Sequence, residues 1–166
     1  MGENYMQVGG TFCFLKNEGK VLFLYRGKKE DMHGGLYFPP GGHTEPGERG
    51  IDCIIREFKE ETGLTLIDPK LRVLATFYNK DRIIGKIESH NDWKVEVYEA
   101  TNFTGKQKQE YKECPLLWVE ESKLENMTMY AGDKKILELM KNRGIYEVRT
   151  KYFRKKLTGF KSTRVG

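Results

Sequence analysis

Between residues 34 and 64 the chain passes from a stretch that resists any regular element to one that favours a helix. Glycines and prolines crowd "GGLYFPPGGHTEPGERG" (34–50), which predicts loop through most of that segment. Directly afterwards Ile51, Ile54, Ile55 and Phe58 recur at i, i+3, i+4 and i+7, the stripe of an amphipathic helix. Gly63 supplies its stop signal. On the side away from the stripe stand Glu57, Glu60 and Glu61, again at i, i+3 and i+4. Like charges so stacked cost roughly 0.2–0.5 kcal/mol per pair unless something neutralises them.

A solvated acidic surface is the ordinary explanation of such a face. The loop running straight into the helix favours another, because it holds backbone carbonyls beside the carboxylates. Hard divalent cations such as Mg²⁺ take oxygen ligands, typically a few carboxylates with waters and substrate phosphates. Three glutamates and a loop carbonyl supply that set, and the ion would cancel the repulsion.

Around this segment the pattern is that of one mixed α and β domain over 166 residues, with neither repeat nor linker. "TFCFLKNEGKVLFLY" reads as a hairpin whose second strand, apolar on both faces, is central in its sheet. "LRVLATFY", "WKVEVYEA" and "PLLWVE" read as strands, and "GDKKILELMKNRG" as a second helix stopped at Gly144. "IYEVRTKYF" alternates as a closing strand. No apolar run approaches the roughly 18 residues of a membrane span. "MGENYMQVGG" lacks a secretory signal's basic-then-apolar order, and Met6 breaks the myristoylation pattern. Cys13, Cys53 and Cys114 are scattered without metal-type pairing, which points to buried thiols and a cytoplasmic location.

The net charge of +5 is not spread evenly. Residues 149–166 hold seven basic and no acidic residues, leaving 22 basic against 24 acidic in residues 1–148. A solvated, partly frayed terminus is the plain expectation for this tail. An arm that attracts RNA or phosphate is the sharper one.

Gly42, five residues, Glu48, seven residues, then Arg56-Glu57-Phe58-Lys59-Glu60-Glu61-Thr62-Gly63-Leu64 resembles the Nudix box, GX5EX7REUXEEXGU, at every fixed position. Outside residues 42–64 the likeness is one of layout, similar to the MutT-like branch. The resemblance implies an α+β fold, an α/β/α sandwich with a mixed central sheet. It also implies a Mg²⁺-dependent hydrolase, with Mn²⁺ as the substitute ion. Its substrates would be nucleoside diphosphates linked to a further group. Glu57, Glu60 and Glu61 would bind metal with the carbonyl of Gly41. Glu57 or Glu60 would help activate water. Arg56 would position the glutamates, Glu48 would support the loop through Arg56, and Gly42 and Gly63 would shape the site. Glu45 is expected to be structural, and His33 and His43 to be hydrogen-bonders of the loop.

"ECPLLWVEESKLENMTMYAGDKKILELM" further resembles the 8-oxo-dGTP diphosphatases. By that likeness Glu110 or Glu113 completes the metal site, and Tyr130 and Asp133 line a purine pocket. Some members carry "WNGFGG" before the box, with a base-reading asparagine; here "YFPPGG" puts Phe38 there, whose side chain donates no hydrogen bond. Tyr37 or Phe38 is then a candidate to stack a base. The expected reaction releases pyrophosphate and a nucleoside monophosphate from a (d)NTP, 8-oxo-dGTP among the candidates. The alternatives are ADP-ribose, a dinucleoside polyphosphate, an RNA 5′ end, or a non-catalytic nucleotide- or RNA-binding module.

Overall fold

The computed structural model describes residues 8–27, 35–84, 87–90, 92–154 and 156–166, with the backbone alone at 8, 79–84 and 87–90. His33 lies outside the described residues. The chain opens with the expected hairpin, β1 (Val8–Asn17) and β2 (Lys20–Arg26). Glu18 and Gly19 turn between them, both at positive φ (50° and 73°), the geometry that matches the strands' twist.

β1 and β2 pair only beside that turn, at Lys16↔Val21 and Asn17↔Lys20, and then splay apart. The glycine- and proline-rich segment fills the gap. Two three-residue strands lie in it, β3 (Leu36–Phe38) along β2 and β4 (Gly41–His43) along β1. Composition pointed to loop here, and strand pairing wins because the splayed edges offer free backbone partners.

The predicted helix is α1 (Gly50–Thr62), closed by Gly63 in the left-handed conformation at φ 79°. After it come β5 (Leu64–Ile67), β6 (Lys70–Ile84), β7 (Ile87–His90), β8 (Trp93–Ala100), β9 (Asn102–Gly105), β10 (Glu110–Tyr111) and β11 (Cys114–Glu120). A 3-10 helix (Glu121–Asn126) leads to α2 (Ala131–Leu139), and β12 (Tyr146–Phe153) and β13 (Lys156–Arg164) close the chain. The main sheet runs β10-β11-β2-β1-β8-β6-β12-β13, parallel at β1–β8 and β6–β12 and antiparallel at its other junctions. β2 is interior to it, as its doubly apolar pattern requires.

Alternation along the strands feeds two cores. Phe12, Phe14, Val21 and Phe23 join Ile136 and Leu137 of α2 on one face. Cys13, Leu15, Leu22 and Leu24 join Ile54 and Phe58 of α1 on the other. The result is the anticipated α/β/α sandwich on a mixed sheet. All three cysteines are buried and free. No helix among the described residues is long and apolar enough to cross a membrane.

Two expectations fail. Residues 149–166 do not fray: most of them belong to the β12–β13 hairpin, with Val148 and Thr150 fully buried and β12 paired along eight residues of β6. Alternating small, β-branched and aromatic residues give the basic segment one apolar face, and that face is enough to dock it. The second helix ends at Leu139, before Gly144, and Arg72 of β6 holds the turn that follows it through backbone carbonyls from the C-cap Met140 onward. The guanidinium donates to the carbonyls of Met140 (3.0 Å), Asn142 (2.6 Å) and Gly144 (3.0 Å), and pairs with Glu99 at 2.7 Å. Arg72→Ala should therefore cost about 2–4 kcal/mol. A urea midpoint unchanged from wild type would refute this account of the helix end.

Candidate functional site

The splay between β1 and β2 is what aims the glycine loop at α1. The amide of Cys13 bonds the carbonyl of Pro40 (3.0 Å), and the amide of Thr44 bonds that of Gly9 (3.1 Å), so β4 is pinned at both ends. Its two glycines serve different needs. A Cβ on Gly41 would come within 2.0 Å of the Thr11 carbonyl oxygen and 2.6 Å of Phe12 Cα, both backbone. A Cβ on Gly42 would fall 2.3 Å from the Glu57 carboxylate. Gly41 lets strand meet strand, whereas Gly42 makes room for a functional side chain.

Arg56 organises the acidic face. Its Nε and Nη2 donate to the two oxygens of Glu48 at 2.8 and 2.9 Å, a bidentate pairing. Its Nη1 donates to Glu57 Oε1 at 2.6 Å, and its Nη2 also reaches the carbonyl of His43 at 3.2 Å. Glu60 Oε1 lies 3.7 Å from Nη1. The Arg56 bonds, with the Glu45 amide donating to Glu48 Oε2 at 2.9 Å, hold the Glu48 carboxyl down to about 2. Glu45 thus acts on the loop through its backbone.

Glu61 is held differently. The amide of Gly41 donates to its Oε2 at 3.0 Å. Burial nonetheless pushes its carboxyl up to about 7, and the charges of Glu57 and Glu60 add to the rise while nearby Lys112 opposes it. The site carries more negative charge than its own cations neutralise.

Divalent-metal chemistry fits this donor set. Glu57 and Glu61 converge on the β4 backbone, half-exposed Glu60 flanks them, and every available donor is a hard oxygen. Among the described residues no three His, Cys, Asp or Glu side chains form a ready-made cage. Mg²⁺ needs none, since it retains waters and takes one or two carboxylates with substrate phosphates. Glu110 is exposed on β10, which packs beside α1, and no hydrogen bond or ion pair joins it to the three glutamates among the described residues. Glu113 follows on the β10–β11 turn at φ 63°.

The aromatic candidates part company. Tyr37 and Phe38 are neighbours on β3 and so point to opposite faces. Tyr37 packs edge-on to Phe23 in the α2-side core, and Phe38 lies in the α1-side core with the Arg26 guanidinium 5.3 Å over its ring. Of the two candidates to stack a base, Tyr37 therefore lies on the side of α2 and Phe38 on the side of α1. Tyr130 caps the start of α2. Asp133 is buried in the first turn of that helix, and burial pushes its carboxyl up to about 7.

A set that sequence reasoning missed meets the first turn of α2, beside Asp133, through Tyr152 and Phe77. Thr150, Phe77 and Trp93 pair across β12, β6 and β8 and form one row on the α2 side. The Tyr152 ring stacks on Phe77 at 6.4 Å, and its hydroxyl accepts the amide of Gly132 at 2.6 Å. Trp93 Nε1 and Thr150 Oγ1 are buried without a hydrogen-bond partner among the described residues. Trp93 lies across Gly10, whose missing side chain makes room for it, and stacks on His43 at 5.5 Å. His43 therefore links this row to the glutamate clamp: its ring touches Trp93 and its carbonyl holds Arg56. The alternation of "WKVEVYEA" marked Trp93 as a strand residue but could not reveal its cross-strand neighbours.

Gly42→Ala should keep the fold and displace Glu57, lowering kcat about tenfold to a hundredfold with little change in melting temperature. Gly41→Ala should instead destabilise the protein, because backbone cannot yield. Equal thermal shifts in the two variants would contradict the distinction. For Asp133 the folded-state value of about 7 lies above its ordinary 3.8, so its burial penalty is absent below about pH 4. Stability then falls as the pH rises through 4 to 7, by roughly 1.4 kcal/mol per unit of separation at the limit. Asp133→Asn should flatten that slope in thermal melts between pH 4.5 and 8.

A model of the NUDIX domain matches residues 6–140. The chain is 34% identical over 138 residues to YvcI, an uncharacterized Nudix hydrolase of Bacillus subtilis, covering 81% of this chain and 80% of that one. It is 29% identical over 102 residues to an ADP-ribose pyrophosphatase of Methanocaldococcus jannaschii, covering 53% of this chain and 59% of the relative. The crystal structure of a MutT protein from Bacillus halodurans superposes with a TM-score of 0.79 at 26% identity, covering 93% of this chain and 97% of that one. Box, fold and relatives agree: the chain belongs to the Nudix hydrolases, enzymes that act on phosphoanhydride bonds, and is MutT-like within them.

Proposed function

We propose that this hydrolase cleaves a purine nucleoside triphosphate to the monophosphate and pyrophosphate, with Mg²⁺ held by Glu57, Glu60, Glu61 and the Gly41 carbonyl. The observation that carries the purine reading is that Trp93 Nε1 and Thr150 Oγ1 are buried without a hydrogen-bond partner among the described residues, in a row that meets the first turn of α2 through Tyr152 and Phe77 at Gly132, next to Asp133. A buried polar group without a partner costs free energy that a ligand can return. An indole N–H, a hydroxyl and a carboxyl that stays partly protonated near neutrality offer both donors and acceptors, as a purine edge requires. The rings of Trp93 and Phe77 give the base an apolar bed. An oxidised purine such as 8-oxo-dGTP is the favoured member of this class, because its added polar atoms suit a site with orphan groups.

Bound Mg²⁺ neutralises phosphate oxygens and lowers the pKa of a coordinated water. The protein's part is positional. Arg56 fixes the Glu57 carboxylate through Oε1, while Glu57 or Glu60 orients the attacking water and accepts its proton. The Gly41 amide fixes Glu61. Glu110, on the strand beside α1, is retained as an accessory ligand that a bound nucleotide would draw in.

A second reading is supported by the Methanocaldococcus jannaschii relative, named an ADP-ribose pyrophosphatase. Product release from dGTP, 8-oxo-dGTP, ADP-ribose and triphosphorylated RNA with Mg²⁺ separates the readings, and highest kcat/KM on ADP-ribose would overturn the first. Within the preferred substrate, Glu57→Gln should lower kcat on the order of 10²–10³-fold while circular dichroism stays unchanged. Trp93→Ala should raise KM for a purine more than for a pyrimidine triphosphate; an equal rise on both would remove Trp93 from base recognition.

A further inference from the structure

We propose that the half of the sheet left open beside α1 is a binding face for single-stranded RNA, independent of which nucleotide the active site hydrolyses. α1 covers the face at β1, β2 and the end of β8, where Tyr98 and Ala100 join Ile54 and Phe58, and Gly50 meets Glu96. Lys94 lies beyond Glu96 on β8 and is exposed, as are Arg149 of β12 and Lys161 of β13. Cross-strand register shows what is exposed there. Lys161 of β13 pairs with Arg149 of β12, Arg149 with Thr76 of β6, and Thr76 with Lys94 of β8. Paired residues share a face, so these four form one row spanning about 14 Å at the usual strand spacing. The adjoining row adds Lys151, whose stem lies along Gly159, and Tyr78.

The charge of this face argues for a polyanion. Lys94, Arg149, Lys151 and Lys161 are all exposed, and Arg149 and Lys161 stand directly opposite each other. Like charges so placed destabilise a sheet. Among the described residues the four have one ion pair, Arg149 with Glu147 on its own strand at 3.3 Å. Lysines at a sheet edge guard against edge pairing, but Lys94 and Arg149 lie on interior strands, where there is no edge to guard. Phosphates spaced along a strand would relieve the repulsion. Tyr78 between the cations offers a ring for a base, the usual combination for single strands. The row also has a direction. Lys94 pairs with Gly9 of β1, and Gly9 carries Thr44, the residue after β4. A strand lying on this face is thereby led to the loop that holds the glutamate clamp.

The test is fluorescence anisotropy of the full chain with a labelled 12-nucleotide oligouridine at several salt concentrations. Four phosphate contacts predict a log–log salt slope of about −3, at about 0.7 per contact. In the Arg149→Gln/Lys161→Gln double variant the slope should fall by about 1.4, with affinity reduced at least tenfold at low salt. Hydrolysis of a free nucleotide should be unchanged, since neither residue touches the clamp. Lys94→Gln/Lys151→Gln, on β8 and β12, should reproduce the effect with two other cations of the same face. The proposal is overturned if wild-type protein does not bind, or if both double variants keep the wild-type slope. It is equally overturned if polyglutamate or phosphatidylserine vesicles compete as well as RNA, which would mark simple ion exchange.

Discussion

The Arg56 guanidinium is the interaction on which the site depends. A helix cannot hold three stacked carboxylates beside a loop carbonyl unless something decides where each one points. Arg56 does so with a rigid fork that spans three segments: Glu48 in the loop, Glu57 on its own helix and the His43 carbonyl on β4. A lysine at that position would supply charge without the planar geometry, and the three segments would lose their common reference. The charge balance is deliberately incomplete. Glu48 is fully neutralised by Arg56, whereas Glu61 is raised by burial and by its acidic neighbours. The unneutralised remainder is the electrostatic basis on which a divalent cation is proposed for this face.

Much of this was legible before any coordinates. The helix over the glutamates, its glycine stop and its apolar stripe follow from local periodicity, and the structure reproduces them almost residue for residue. Strands with clear alternation, such as Trp93–Ala100, were equally plain. What escaped was whatever depends on partners distant in sequence. β3 and β4 form because β1 and β2 separate, and no property of "YFPPGGH" announces that separation. Thr150 and Trp93 become one row only through a strand between them. The basic terminus was misjudged because charge count outweighed alternation, although "YEVRTKYF" already hid one apolar face.

Charge is distributed by face. On the α2 side the sheet is lined by phenylalanines, valines and the Trp93–Phe77–Tyr152 row, with Asp133 the one buried acid among the described residues. On the α1 side, cover stops partway. Glu96 sits at that margin, its carboxylate taking the Tyr98 hydroxyl at 2.7 Å against Gly50, the first residue of α1. A side chain on Gly50 would collide with Glu96, so the helix starts as close to the sheet as backbone permits. Beyond that boundary the surface turns basic. The acidic face of α1 and the basic part of the sheet are thus kept apart by the edge of one helix.

The two chemistries of the site meet at a strand of three residues. Side chains alternate along β4, so Gly42 faces α1 and admits Glu57, while His43 faces the other way and stacks on Trp93. A slip of one residue would exchange those faces, placing an imidazole where the Glu57 carboxylate sits and a glycine under the indole. The register therefore has to be fixed more firmly than three residue pairs alone can manage. The bonds from Cys13 to Pro40 and from Thr44 to Gly9 do this at the two ends, and the prolines before β4 limit the conformations that could compete. Which side of the sheet receives the Glu57 carboxylate and which receives the His43 ring is then a single geometric decision, made by where the glycine pair stops along β1.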